Sequence, residues 1–368
     1  MQANWHKKQE TLSLKTERTV LNSVVKATSK VVTSTLHLPM DIPGGPNDPK
    51  TIANGGIPDD DAMQRFYEEL ESPFFHSLTK MQITKLAKLQ KDVWVKHLEH
   101  RLLLILKSQK IGISSLCILI TLWHALTDCM GMELIINAQS EEQAKTHAQD
   151  FRRILAGSPK YKDYLITTQF SALGLLKDEV TKVRTIYLHN PKNPTMPTKI
   201  IVLGMSPGAL LSHKRVGFIW SSDKTISQLT SAKKNEVWAA MLSRLANSLG
   251  PAIVECPARE PSGPVYDTWE RYENQLENEI DIDPNNDFFC YKFKYQLGLR
   301  DGFFTEEFIE SEKRRLGPLF GTFYEADFFA SGMTWYLEEH FANRSDAATD
   351  LFFQFNPQDD LISDVTDD

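Results

Sequence analysis

The sequence predicts an α/β fold: a mostly parallel central sheet covered by helices on both faces, a small C-terminal α+β subdomain and a flexible N-terminal arm. Three observations lead there. From Leu102 onward, short apolar runs of strand length alternate with segments whose apolar residues recur at helical spacing. Hydrophobic residues make up 41% of 368 residues, enough for a sizeable core. Lys107, Asp223 and Glu255 fall at or just past the carboxyl ends of strand-like runs, where open α/β sheets bind ligands.

Residues 1–73 read as a mobile arm with a lead-in helix. The first 60 are rich in Lys, Thr and Ser and then turn through Pro43-Gly-Gly-Pro46 and Gly55-Gly56, a composition poor in core-forming side chains. Asp59-Asp60-Asp61 opens a helical stretch through Glu71. The core is expected over 74–260. Met81–Leu98 has helical spacing. Leu102–Leu106, Glu133–Asn137, Val180–Leu188, Lys199–Leu203, Val216–Trp220 and Ala252–Glu255 read as strands, and Ile113–Thr127, Glu141–Leu155 and Asn235–Leu249 as helices. Residues 261–341 read as a linker or lid subdomain closing the core, with a charged helix from Tyr266, a strand over Phe288–Tyr295 and a helix over Glu306–Leu316. Residues 342–368 form an acidic tail.

Net charge is −7, so the whole-chain balance does not advertise a nucleic-acid binder, although a local patch would suffice for one. The four cysteines are scattered without metal spacing and read as reduced thiols. The polar N-terminus carries no signal-peptide pattern, and the apolar run Leu116–Trp123 is too short to span a bilayer.

The richest segment is Lys107-Ser-Gln-Lys-Ile-Gly-Ile-Ser-Ser115, between a strand-like run and a helix-like one. That context suits a phosphate-binding loop, whose backbone amides and helix N-terminus face an anion. Against the G-x-x-x-x-G-K-[ST] spacing, Gly112 takes the second glycine and Ser114 the metal-binding hydroxyl. Lys107 stands at the first glycine position and Ile113 at the lysine, so the cation is moved to the front of the loop. The plainer alternative is a helix-start glycine with Ser114 as a cap. Taken as a nucleotide site, the loop comprises Lys107, Ser108, Gln109, Lys110, Ile111, Gly112, Ile113, Ser114 and Ser115. The fold is then a P-loop NTPase three-layer sandwich of the ASCE type. Its Mg²⁺ needs a second carboxylate, for which Asp223 is the candidate. Lys224 follows Asp223 where a tandem Asp-Glu would place the water-orienting acid, so Glu255 is the substitute; Glu236 reads as an exposed helix residue. Upstream, Phe75 and Gln82 can stack on and pair with an adenine.

In this order the motifs resemble the large terminase family, the DNA-packaging ATPases of tailed viruses. Lys107–Ser114 looks like its deviant phosphate loop, and Leu134–Ala144 like its next strand and helix. Val216–Asp223 looks like its metal-carboxylate strand, Val254-Glu-Cys-Pro257 like its coupling segment, and Gly263–Trp269 like the segment that follows. Phe303–Ile309, Arg314–Gly317 and Phe323–Phe328 resemble the part closing the motor. The resemblance spans residues 74–335 and implies ATP and Mg²⁺ as ligands. It also implies double-stranded DNA as substrate, and a portal protein, a small terminase subunit and further copies in a ring as partners. The expected location is the host cytoplasm and, transiently, the procapsid portal, with no membrane. It implies Lys107, Asp223 and Glu255 as catalytic, Ser114 and Asp223 as metal ligands, Cys256 and Pro257 as coupling residues, and Lys110 or Arg215 as a cationic finger. No aspartate-bearing nuclease domain is expected from this chain. The competing readings are a helicase-like P-loop motor and a non-hydrolysing adaptor with a degenerate NTPase fold.

Overall fold

A computed structural model describes residues 38–72, 86–138, 140–166, 184–204, 207–221, 231–258 and 261–328. Phe75, Gln82 and Asp223, with the acidic tail, lie outside the described residues.

Seven strands form one sheet in the order β3-β4-β2-β5-β6-β1-β7. They are β1 (Leu102–Lys107), β2 (Glu133–Ala138), β3 (Thr185–Leu188), β4 (Thr198–Gly204), β5 (Val216–Ser221), β6 (Ala252–Cys256) and β7 (Phe288–Phe293). Every neighbouring pair is parallel except β3 with β4, so the α/β expectation holds with one antiparallel edge. The alternation of side chains divides the core. Leu103 and Ile105 of β1, Leu134 and Ile136 of β2 and Ile253 of β6 face one helical layer, while Leu102, Leu104, Leu106, Ile135 and Val254 face the other.

The short helix α1 (Pro49–Ala53) comes first; the first layer holds α2 (Ala62–Leu70), α3 (Lys88–Glu99), α4 (Ile113–Leu126) and α5 (Glu141–Gly157); the second holds α6 (Pro207–Leu211), α7 (Ser231–Ala246) and α8 (Pro264–Glu277). Two shorter helices, α9 (Tyr295–Arg300) and α10 (Glu306–Leu316), follow β7. Helix α4 is apolar on every side, and all its residues from Leu116 to Leu126 are buried, as an all-round apolar helix requires. Helix α5 is amphipathic: Ala144, Ala148, Phe151, Ile154 and Leu155 are buried, and the Ser140 side chain caps its start by accepting from Gln143 N.

Two boundaries need correction. Residues 38–72 are not an arm. Ile42, Met63, Phe66 and Leu70 join the main core, and Trp123 Nε1 donates to the Pro43 carbonyl at 2.8 Å. The Pro/Gly turn is held by Asp48, whose carboxylate accepts from Gly44 N at 2.7 Å, Lys50 N at 3.2 Å and Arg65 Nη2 at 2.7 Å. A segment short of apolar residues packs here because its backbone polar groups are satisfied on the spot. Residue 260 is likewise no division, since β7 joins the central sheet beside β1 with Leu102 opposite Phe288 and Lys107 opposite Phe293. The expected strand to Tyr295 ends at Phe293 and gives way to α9. No helix among the described residues is long and apolar enough to cross a membrane.

Candidate nucleotide site

The site forms where β1 and β6 end side by side. Their register pairs Ile105 with Glu255, so Lys107 and Glu255 project toward the face that α4 covers. The first turn of α4 supplies Ser114 to the same point. Lys107 Nζ lies 2.7 Å from Glu255 Oε2 and 3.2 Å from Ser114 Oγ, and Ser114 Oγ donates to Glu255 Oε1 at 2.9 Å. The Lys107 side chain is 7% exposed and that of Glu255 0%. Two charges withdrawn this far from water are tolerable only as a bonded pair. Their neighbour Cys117, one turn along α4, has its thiol pushed well up, first by burial and then by the Glu255 carboxylate, with Lys107 opposing.

The loop between them is shaped for an anion. Lys110 (φ +62°) and Gly112 (φ +73°) are left-handed, which turns the chain sharply into α4. Ser108 N donates to the Phe293 carbonyl at 2.7 Å and Gln109 N to the Phe323 carbonyl at 2.9 Å. Past that point, the amides of Lys110, Ile111, Gly112, Ile113, Ser114 and Ser115 meet no acceptor among the described residues. A run of free N–H groups opening a helix, with a buried ammonium beside it, is a phosphate-binding arrangement. The hydroxyl and carboxylate oxygens of Ser114 and Glu255 are hard donors of the kind Mg²⁺ takes, so these residues fit both groups.

Packing fixes the loop from two sides, through residues that sequence reasoning missed. Gln90, on α3 and buried, donates from Nε2 to the Gly112 carbonyl at 2.9 Å and accepts from Ala87 N at 2.9 Å. A glutamine three positions into a helix is half of a capping-box pattern, the one available signal. Asp301 holds the same helix start by accepting from Leu89 N at 2.8 Å. Phe303 presses on the loop so closely that a Cβ on Gly112 would meet its ring at 2.8 Å.

The structure does not gather every candidate. Lys110 is exposed, with Nζ 5.1 Å from the Phe308 ring centroid. Ser115 is half-buried on the first turn of α4. Cys256 is buried in the second core layer and Pro257 follows β6 directly. Arg215 precedes β5 and therefore lies at the opposite rim of the sheet, a strand length of about 20 Å away. It cannot reach this loop within its own chain. Glu236 is exposed on α7.

No protein-family model and no curated protein matches the chain. Solved structures do. The HK97 bacteriophage large terminase superposes with a TM-score of 0.53 at 13% identity, covering 73% of this chain and 55% of its own. The chain shares the fold of a phage large terminase. A Thermus phage large terminase ATPase domain covers 70% of this chain and 99% of its own, with a TM-score of 0.49 at 13% identity. A large terminase from a thermophilic bacteriophage, in complex with ADP, covers 65% and 52%, with a TM-score of 0.44 at 9% identity. This chain spans about half the length of the HK97 terminase it resembles.

Proposed function

We propose that this chain is a packaging ATPase of the large-terminase kind, which couples ATP hydrolysis to the movement of double-stranded DNA into a viral procapsid. The observation that carries the reading is the buried pair Lys107 and Glu255 with Ser114 bonded to both, closing on the free amides of residues 110–115 within this fold. Backbone amides cradle the phosphates. Lys107 reaches the β and γ groups from the front of the loop. Ser114, with Asp223, would hold Mg²⁺, which when bound neutralises the charge developing on the transferred phosphoryl group. Glu255 orients the attacking water once it is freed from Lys107 and Ser114. Phe75 and Gln82 take the adenine, Cys256 and Pro257 pass the phosphate state to α8, and Lys110 serves as a cation in cis. Arg215, at the far rim, acts only toward a neighbouring copy in a ring. The same reading supplies a portal protein and a small terminase subunit as partners, in the cytoplasm of an infected host.

The test is ATP turnover with and without double-stranded DNA. Wild type should hydrolyse ATP and be stimulated by DNA, and Lys107→Ala and Asp223→Ala should abolish turnover. Equal residual rates in all three would leave the non-hydrolysing adaptor, a reading favoured by one observation: Glu255 is already engaged by both of its neighbours.

A further inference from the structure

We propose that His124, Asp128 and Cys129 form a zinc site at the C-terminal end of α4. One ring nitrogen of His124, an Asp128 carboxylate oxygen and Cys129 Sγ all lie within 4.8 Å of one another, and His124 Nδ1 is 2.8 Å from Asp128 Oδ1. Local folding creates the cluster. His124 and Asp128 stand four residues apart on one side of the helix end, and the chain then doubles back as Cys129 N donates to the His124 carbonyl at 2.9 Å.

Zinc binds N, O and S donors tetrahedrally at about 2.0–2.3 Å, which sets the donors roughly 3.3–3.8 Å apart. The contact of 2.8 Å and the 4.8 Å ceiling on the set are compatible with that spacing after side-chain adjustment. Imidazole with thiolate excludes the oxygen-seeking Mg²⁺ and Ca²⁺. The ring is held from outside as metal-bound imidazoles are. His124 Nε2 is 2.7 Å from His97 Nε2, which can accept its proton, and the ring stacks on Phe218 at 4.8 Å between centroids. An entry path exists: the Asp128 side chain is 53% exposed while that of His124 is 4% exposed. Three protein ligands leave one tetrahedral position for water. Binding exchanges the thiol proton of Cys129 for the metal and ties α4 to the turn that enters β2.

This site is independent of the nucleotide reading, because α4 holds the two about 20 Å apart. The experiment uses the full chain, stripped with a chelator and titrated with Co²⁺ and then Zn²⁺. One Co²⁺ per chain should give tetrahedral d–d bands and a thiolate charge-transfer band, both displaced by Zn²⁺. Cys129→Ser should lose the charge-transfer band, and Asp128→Asn should weaken zinc by more than about tenfold. Absence of a saturable band overturns the proposal, as does a band unchanged in Cys129→Ser. Should Cys129→Ser fail to fold, Asp128→Asn decides, since its side chain is largely exposed: unchanged zinc affinity there is equally fatal.

Discussion

The two ends of α4 bury ionisable groups in opposite ways. At its start, Lys107 and Glu255 keep their charges and satisfy each other at 2.7 Å, with Ser114 bonded to both. At its end, His97 is buried against His124 and stays neutral. A buried charge survives by pairing, and a buried base without a carboxylate of its own survives by losing its proton. Only the first arrangement stores a ready cation, and that is the end where the loop amides stand open to an anion.

The largest effect should come from breaking the pair. Lys107→Ala leaves Glu255 fully buried without its cation, which should cost about 3–5 kcal/mol of unfolding free energy. Lys107→Ala with Glu255→Ala should recover much of that loss, since no charge is then stranded. Chemical denaturation of the two single variants and the double variant measures the coupling. Additive losses would show that the two side chains do not act as a unit.

The other end should break under acid. The folded pKa of His97 lies below its unfolded value of 6.5, at about 3, with burial the first cause. Below about pH 6.5 the unfolded chain therefore binds a proton that the folded chain refuses. Stability is fully present above that pH and declines as the pH falls toward 3. Thermal midpoints between pH 7 and pH 4.5 should drop in the wild type, and less steeply in His97→Asn. The slope should not vanish, because burial also lowers His100, His147 and His189. An unchanged slope in His97→Asn would mean that His97 takes up its proton while folded.

Gly112→Ala tests the loop itself. Its φ of +73° costs an alanine roughly 1–2 kcal/mol, and the new Cβ would meet Phe303 at 2.8 Å and Gln90 Nε2 at 2.9 Å. The expected result is a moderate loss of stability with weakened nucleotide binding, read by denaturation and by fluorescent-nucleotide titration. Full stability would show that the loop can relax away from Phe303.

Much of this was legible in the sequence where the signal is local. The strand, the turn with Gly112 and the helix with Ser114 are contiguous, and Lys107 and Glu255 end apolar runs, so their meeting follows from strand ends sharing one rim of a parallel sheet. What was not legible depends on distant partners. Gln90 and Phe303 converge on Gly112 from far along the chain, and nothing around either names that contact. The pairing of β7 with β1 joins residues remote in sequence, so composition alone made residues 261–341 look different. The Pro43–Pro46 turn read as loose because its stabilisation is polar, through Asp48, and apolar counting misses it. The resemblance offered Arg215 as a cationic finger without fixing whose loop it would serve, and its place at the start of β5, on the opposite rim, is a matter of sheet direction.

The smallest structural change should have the most selective consequence. Ser114→Ala removes one hydroxyl that donates to Glu255 and accepts from Lys107, on a half-buried side chain. The ion pair remains, so the loss should be only about 1 kcal/mol. If the hydroxyl is also a magnesium ligand, turnover should fall far more than stability, and Ser114→Thr, which restores the oxygen, should recover it. Measuring Mg²⁺-dependent ATP hydrolysis beside the unfolding midpoint separates the two roles. A variant that loses stability and turnover in proportion would make Ser114 a packing residue only, and the loop's resemblance to a nucleotide site would then rest on Lys107 and the open amides alone.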